Sequence, residues 1–123
     1  MDGFDFNDTQ PIYLQIMDRI CAEIVRGKRS PADKLPAVRE YALEAGVNVN
    51  TIQRVYRELE SNGIAEMRRG QGTFVTSNEE RLIQLREEMR KRYVADFFRQ
   101  MTEMGFDRTE IIQSVEEERW ERE

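Results

Sequence analysis

Two short amphipathic segments, separated by about three residues, constrain the fold of this chain more than any other feature. The first covers about residues 37–45 and ends at Gly46, and the second covers about residues 49–62 after Asn48. Glycine is favoured just beyond the C-terminus of a helix, and asparagine is favoured as an N-cap. Two helices joined by so short a turn are typical of a helix-turn-helix unit.

The second helix of this pair has two chemically different faces. Its apolar residues recur at helical spacing and form the predicted core face: Ile52, Val55, Tyr56 and Leu59. The opposite face carries amide and guanidinium side chains: Asn50, Gln53, Arg54 and Arg57. Amides can pair with adenine, and guanidinium groups with guanine or phosphate, so this face suits the DNA major groove. The alternatives are a hydrated surface for the amides and ion pairs with glutamates of the same helix for the arginines.

A short β-hairpin is predicted directly after this helix. The β-prone runs at 64–67 and 73–76 are separated by Arg68-Arg69-Gly70-Gln71-Gly72, a turn whose glycines can adopt positive φ. A basic tip at this place fits a wing beside the narrow minor groove of DNA. A hairpin that merely keeps the surface polar is the alternative.

An apolar helical stripe precedes the helix pair. Isoleucines recur every four residues over 12–24, and Gly27 ends the pattern. We expect Thr9 or Asp8 to cap this helix, with Pro11 in its first turn. The stripe is predicted to contribute to the hydrophobic core.

The last third of the chain is predicted to be a helical hairpin. Ser77 and Glu80 fit a capping box that opens a helix over about residues 78–104. A second capping box, formed by Asp107 and Glu110, opens a helix that extends to about residue 119. The expected fold class is therefore mainly α with a small β-hairpin.

These elements divide the chain into a winged helix-turn-helix domain, residues 1–77, and a C-terminal dimerisation and effector segment, residues 78–123. Apolar side chains spaced by three or four residues follow the long helix: Leu82, Leu85, Met89, Tyr93, Phe97 and Met101. Two helices without an enclosing sheet hardly bury a small molecule within one subunit, so the stripe predicts burial against a second copy. A small-molecule effector at the subunit junction is left open, and Trp120 is a candidate anchor across it.

Composition excludes several classes of function. The chain has 123 residues, one cysteine and no histidine, so we predict no metal site, no cofactor and no catalytic constellation. No apolar run approaches the roughly 20 residues that span a bilayer. Residues 1–8 lack the pattern of a signal peptide and are expected to form a loose arm. We expect a cytoplasmic protein that is not an enzyme, with Cys21 as a buried apolar residue.

The net charge of −5 weighs against nucleic acid as a partner, but its distribution softens the objection. Residues 34–77 carry six basic against five acidic side chains, whereas residues 78–123 carry nine against thirteen. Binding depends on the local face rather than on the total charge. The acidic balance leaves an alternative function, a winged-helix adaptor that binds a protein through its tail without specific DNA binding.

The predicted helices, their connecting turn and the hairpin resemble those of the GntR family of bacterial transcriptional regulators, and within it the short YtrA-like subfamily. The resemblance spans about residues 9–77 and is carried by five segments: Pro11-Ile12-Tyr13, Lys34-Leu35-Pro36-Ala37-Val38-Arg39-Glu40, Gly46-Val47-Asn48-Val49-Asn50-Thr51, Tyr56-Arg57-Glu58-Leu59-Glu60 and Arg69-Gly70-Gln71-Gly72-Thr73-Phe74-Val75. It implies a homodimeric repressor that binds an inverted-repeat operator in double-stranded DNA.

The resemblance also implies which residues contact DNA. Arg39 would contact it from the start of the first helix of the pair; the alternative is an ion pair with Glu40 or a neighbouring acid on a solvated helix. Early residues of the second helix would approach bases and phosphates, and the wing glycine, Gly70, would approach the minor groove. The full predicted DNA-binding set is Arg39, Asn48, Val49, Asn50, Thr51, Gln53, Arg54, Arg68, Arg69 and Gly70.

Three departures from the family pattern bear on this site. Many members have arginine where Val49 and Gln53 stand, which puts guanine recognition at those two positions in question. A serine is common where Ala37 stands, and its loss removes a hydroxyl that can contact phosphate. The usual glycine of the preceding turn is Ala32, so we expect a type I turn rather than one that needs positive φ.

Overall fold

The computed structural model describes residues 4–119 of the chain, so the predicted anchor Trp120 lies outside the described residues. Residues 4–119 form five helices and one two-stranded antiparallel sheet: α1 (Ile12–Val25), α2 (Val38–Ala45), α3 (Val49–Ser61), β1 (Ala65–Arg68), β2 (Gly72–Val75), α4 (Glu79–Glu103) and α5 (Arg108–Glu117). The predicted fold class, mainly α with one hairpin, is confirmed. Within the same residues, no helix combines the length and the apolar character needed to cross a membrane.

The chain divides into two compact units, one up to Arg86 and one from Glu87. The first two turns of α4 therefore belong to the first unit. The functional boundary predicted between residues 77 and 78 stays a prediction.

The apolar stripes of α1, α2 and α3 form most of the core of the first unit. The buried side chains of these three helices are Ile16, Ile20, Cys21, Ile24, Tyr41, Ala42, Ala45, Ile52, Val55, Tyr56 and Leu59. They recur every three or four residues, so each helix turns one face inward and leaves the other to solvent. The predicted burial of Cys21 is confirmed.

The hairpin is attached to the helices along one strand. Its strands pair from Ala65 opposite Val75 to Arg68 opposite Gly72, within one residue of the predicted bounds. The segment before α2 binds the outer side of β2: the Leu35 N–H donates to the Thr73 carbonyl at 2.8 Å, and the Val75 N–H donates to the Asp33 carbonyl at 2.8 Å. A two-stranded hairpin is marginal alone, so this pairing holds the wing in place.

The turn before this segment contradicts the predicted type I geometry. The Asp33 N–H donates to the Ser30 carbonyl at 3.0 Å, which closes a turn with Pro31 and Ala32 at its centre. Ala32 has a φ of 70°, as in a type II turn. The physical reason is tertiary: the Ala32 N–H donates to the Val75 carbonyl at 3.0 Å, so pairing with β2 holds alanine in a conformation that it does not prefer.

The start of α1 also differs from the prediction. Pro11 occupies the N-cap position without a side-chain hydrogen bond, so neither Thr9 nor Asp8 caps the helix. The Thr9 N–H donates to the side-chain oxygen of Asn7 at 2.9 Å, and the Gln15 amide donates to the Asn7 carbonyl at 2.9 Å. The end of the predicted loose arm is therefore bound to the first turn of α1.

The start of α4 also differs from the prediction, and Ser77 and Glu80 do not form the expected capping box. Asn78 is the capping residue, because its side-chain oxygen accepts from the Arg81 N–H at 3.2 Å. Ser77 is used elsewhere: its N–H donates to the Glu66 carboxylate at 3.1 Å. The wing strand thus competes with the helix for this residue.

In the second unit, the predicted capping box of α5 is confirmed. The Asp107 carboxylate accepts from the Glu110 N–H at 2.9 Å, and the Glu110 carboxylate accepts from the Asp107 N–H at 2.9 Å. The helix ends at Glu117, two residues earlier than predicted, and Ile111 is its buried side chain.

Candidate nucleic-acid interface

The turn between α2 and α3 has the geometry of a helix-turn-helix unit. Three residues separate the helices, and the first of them, Gly46, ends α2 with a φ of 75°. A side chain there would be strained, so glycine permits the abrupt end of the helix. Asn48 then caps α3, since its side-chain oxygen accepts from the Asn50 N–H at 2.7 Å. The side chain of Asn48, a predicted DNA contact, is thus already partly engaged.

The two faces predicted for α3 are present. Ile52, Val55, Tyr56 and Leu59 are buried, whereas Asn50, Gln53, Arg54 and Arg57 are exposed. Within residues 4–119, the side chains of Asn50, Gln53 and Arg57 have no hydrogen-bond or ion-pair partner. Their donors and acceptors are available to a ligand. Val49 and Thr51, at the start of the helix, are half-buried.

Tyr56 is a core residue, as predicted. Its hydroxyl donates to the carbonyl oxygen of Pro36 at 2.7 Å, which ties α3 to the segment that leads into α2. Burial is the main cause that raises the pKa of Tyr56 far above the usual value of a phenol, so the hydroxyl remains a donor. The bond fixes α3 relative to the start of α2.

Arg39 lies beside this junction, in the first turn of α2, and is exposed. The ion pair with Glu40 that was the alternative does not form, and Arg39 has no other partner within the residues that the structure describes. An unpaired guanidinium presents five donors in a planar fork, the geometry that binds guanine or phosphate.

Arg54 is held differently. Its guanidinium carbon lies 3.7 Å from the centroid of the Tyr13 ring on α1, a cation–π contact. The sequence indicated that Arg54 is on the outer face of α3, but the pairing with a residue far away in the chain was missed. Two side chains that meet only in the tertiary structure leave no local spacing pattern.

The two arginines of the wing differ from each other. Arg68 stacks on the Phe74 ring at 4.2 Å and lies 3.6 Å from the Glu66 carboxylate, so part of its charge is compensated. Arg69 is exposed and, among residues 4–119, has no partner. The adjacent Gly70 has a φ of 75°, and no atom lies within 4 Å of where its Cβ would be. The tip therefore presents one unpaired cation beside an open backbone.

The base of the wing holds a hydrogen-bond network around a carboxylate that the sequence did not suggest. Glu66 accepts from the Thr76 hydroxyl at 2.8 Å and from the Ser77 N–H at 3.1 Å. The Thr76 hydroxyl oxygen in turn accepts from the Asn78 N–H at 3.1 Å. The hydrogen bonds from Thr76 and Ser77 lower the pKa of the Glu66 carboxyl below its usual range, and the bond from Thr76 has the larger effect. The network joins β1 to the residue that caps α4.

The residues predicted for the dimer interface are buried to different degrees. Leu85 in the first unit and Met89 in the second are buried within one chain, at 4% and 8% exposure. Tyr93 and Phe97 are 52% and 41% exposed, and Leu82 and Met101 are half-buried. Further exposed apolar residues of the second unit, not in the predicted set, are Val94, Met104, Phe106, Ile112 and Val115.

Comparisons with known proteins support the interpretation of this helix-turn-helix unit and its wing as a DNA-binding module. The family model for bacterial regulatory proteins of the gntR family matches residues 12–75. The HTH-type transcriptional regulator YhcF of Bacillus subtilis (strain 168) is 44% identical over 110 residues, which span 89% of this chain and 91% of YhcF. The HTH-type transcriptional repressor YtrA of the same organism is 41% identical over 78 residues, which span 63% of this chain and 60% of YtrA.

Two solved structures extend the comparison. A GntR family transcriptional regulator from Listeria monocytogenes matches with a TM-score of 0.84 and 38% identity, over 93% of this chain and all of that one. The DNA-binding domain of AraR, solved in complex with operator ORX1, matches with a TM-score of 0.54 and 32% identity, over 59% of this chain and 92% of that one. The chain therefore belongs to the gntR family of bacterial regulatory proteins and is a DNA-binding transcriptional regulator, not an enzyme.

Proposed function

We propose that this regulator is a homodimeric repressor, acting in the cytoplasm, that binds an inverted-repeat operator. Each subunit places α3 in the major groove and its wing at the flank of the half-site. The observation that carries the proposal is the outer face of α3: within residues 4–119, the side chains of Asn50, Gln53 and Arg57 have no partner, and neither has that of Arg39 on α2. Two comparisons support the proposal by analogy. The relative YtrA is named a transcriptional repressor, and the AraR DNA-binding domain was solved on an operator.

The proposed contacts follow from the availability of each side chain. Arg39 and the α3 amides Asn50 and Gln53 recognise base edges, since bidentate arginine–guanine and amide–adenine pairs are the common specific contacts. Arg54 and Arg69 neutralise phosphates, the latter from the wing tip. The remaining proposed contacts, which position the backbone against DNA, are Asn48, Val49, Thr51, Arg68 and Gly70.

The dimer is proposed from the exposed apolar surface of the second unit. Tyr93, Val94 and Phe97 on α4 and Val115 on α5 are each at least two-fifths exposed. A protein that remained a monomer would rarely leave so many large apolar side chains close together in solvent. Pairing two copies through this surface covers them and presents two recognition helices to a two-fold symmetric site.

The DNA proposal is tested by in vitro selection from a random duplex library, followed by titration of the recovered duplex and of a random duplex of equal length. Recovered sequences are expected to have two-fold symmetry, and affinity is expected to fall with salt with a slope of about −0.9 per phosphate contacted. Arg39→Ala is expected to weaken binding of the recovered duplex about tenfold, and binding of the random duplex much less.

The matched control is Arg108→Ala, which removes the same charge from an exposed position of α5 and is expected to leave the preference for the recovered duplex intact. Recovered sequences without symmetry would exclude the inverted repeat. Equal losses on both duplexes would make Arg39 a phosphate contact only.

The dimer is tested by sedimentation velocity. Phe97→Glu places a charge within the proposed interface and is expected to yield monomers. Thr102→Glu introduces the same group at an exposed position of α4 that helical spacing places away from Phe97, and is expected to remain dimeric. A wild-type protein that sediments as a monomer at the concentrations used for DNA binding would exclude the proposal.

A further inference from the structure

The guanidinium of Arg54 on α3 lies over the ring of Tyr13 on α1, an arrangement that packing of surface side chains does not by itself require. Tyr13 is the second residue of α1 and is half-buried, and Arg54 is an exposed residue of α3. The guanidinium carbon of Arg54 lies 3.7 Å from the ring centroid, so the cation rests on the face of the ring. This contact engages the π-system of the ring rather than a hydrogen-bond acceptor, so it does not use up the N–H donors of the guanidinium.

Those N–H groups are uncommitted. Within residues 4–119, Arg54 makes neither an ion pair nor a hydrogen bond, and the Tyr13 hydroxyl also has no hydrogen-bond partner. Arg68 of the wing offers the contrast: it too stacks on a ring, but it also lies 3.6 Å from the Glu66 carboxylate. The Tyr13 ring thus holds Arg54 in place without neutralising its charge.

A free arginine side chain on a helix samples many rotamers, and fixing it on binding costs entropy. Stacking on a ring restricts those rotamers before DNA binds. The desolvation penalty of the stack is small, because a guanidinium is weakly hydrated. An aliphatic side chain at position 13 would offer bulk but no π-face, so it would leave Arg54 mobile.

We infer that Tyr13 is a positioning residue of the DNA-binding surface: its ring holds the Arg54 guanidinium on the outer face of α3, with its donors free to bind a phosphate oxygen. This inference rests on the proposed placement of α3 against DNA. It adds α1 to a surface otherwise formed by the helix pair and the wing, and assigns to the ring of Tyr13 a role that its hydroxyl does not share.

The test is a double-mutant cycle on the duplex recovered by in vitro selection, with fluorescence anisotropy as the readout. Tyr13→Leu and Tyr13→Met are made in parallel, and thermal unfolding identifies a folded variant. We expect either to weaken binding roughly two- to tenfold, the cost of immobilising one long side chain. Tyr13→Phe keeps the ring face and is expected to bind like the wild type.

The decisive comparison is between backgrounds. In Arg54→Ala, loss of the Tyr13 ring is expected to have no further effect on affinity. In Arg57→Ala, which removes a neighbouring exposed arginine that does not touch Tyr13, the ring is expected to matter as much as in the wild type. Arg54→Ala itself is expected to lower the salt slope by about one unit on both recovered and random duplexes.

Each contrary result has a distinct meaning. Equal losses from Tyr13→Leu in the wild-type and Arg54→Ala backgrounds would overturn the positioning role and leave Tyr13 a structural residue. A loss in Tyr13→Phe as large as in Tyr13→Leu would assign the effect to the hydroxyl and overturn the inference. An unchanged salt slope in Arg54→Ala would exclude the phosphate contact. Failure of the proposed function is seen separately, because wild-type protein would then recover no symmetric duplex.

Discussion

The hydroxyl of Tyr56 donates a hydrogen bond to the carbonyl oxygen of Pro36 at 2.7 Å, and so links α3 to the segment that leads into α2. We predict that Tyr56→Phe lowers the free energy of unfolding by about 1 kcal/mol, because the Pro36 carbonyl loses its donor. Denaturant unfolding measures the change. A variant as stable as the wild type would mean that water replaces the hydroxyl without cost.

Tyr41 makes the opposite case, since it is buried but its hydroxyl has no hydrogen-bond partner within the described part of the chain. Burial raises the pKa of Tyr41 to about 12, consistent with a poorly solvated phenol. We predict that Tyr41→Phe leaves the free energy of unfolding unchanged or raises it by up to about 1 kcal/mol, because the desolvation penalty disappears. A loss as large as that of Tyr56→Phe, measured in the same denaturant titration, would reveal a hidden partner for the hydroxyl.

Ala32 is the strained residue of the first unit, with a φ of 70°. We predict that Ala32→Gly raises the free energy of unfolding by about 0.5–1 kcal/mol: glycine removes the roughly 1–2 kcal/mol cost of positive φ but increases the entropy of the unfolded chain. Thermal and denaturant unfolding provide the measurement.

The control for that prediction is Ala95→Gly, at an exposed position in the interior of α4. Glycine relieves no positive φ there, so we expect a loss of about 1 kcal/mol, the usual cost of glycine in place of alanine inside a helix. If the two substitutions change stability in the same direction, strain at Ala32 is not the cause.

Glu66 predicts a dependence of stability on acid. Because hydrogen bonds from Thr76 and Ser77 lower its pKa in the folded state, its contribution to stability is present at neutral pH and is lost as pH falls through that lowered pKa. We expect Glu66→Gln to be less stable than the wild type at neutral pH, and the difference to shrink progressively in acid.

Denaturant unfolding at a series of pH values measures that difference. Glu60→Gln, at an exposed position of α3, is the matched control and is expected to change stability little at neutral pH. A gap between wild type and Glu66→Gln that persists unchanged in strong acid would show that the carboxylate charge is not what the network uses.

The ends of α2, α3 and α5 and the outward face of α3 could be predicted from local chemistry. The glycine at position 46 and the cap at Asn48 bracket a turn of three residues, and both act within one helical turn of where they stand. The Asp107–Glu110 box has the same local character. Periodic apolar residues then identified which face of α3 turns outward, since period and face are linked by helix geometry.

Predictions failed where a distant segment competed for the same group. Ser77 looked like a helix cap, but its N–H and hydroxyl turn towards Glu66 of the wing, eleven residues away. Ala32 looked incompatible with positive φ, but its N–H pairs with Val75 of β2. In both cases a hydrogen bond across the fold outweighs a local preference of about 1 kcal/mol.

Residue spacing and groups close together in the chain were enough to predict the kinds and order of the elements, the outward face of α3 and the membership in a family of DNA-binding regulators. Which cations are free could be read only from the folded chain. Arg39 and Arg69 stand unpaired within the described residues, Arg68 shares its charge with Glu66, and Arg54 rests on Tyr13. The reason is that pairing depends on distances between side chains from separate elements, which packing sets and spacing along the chain does not.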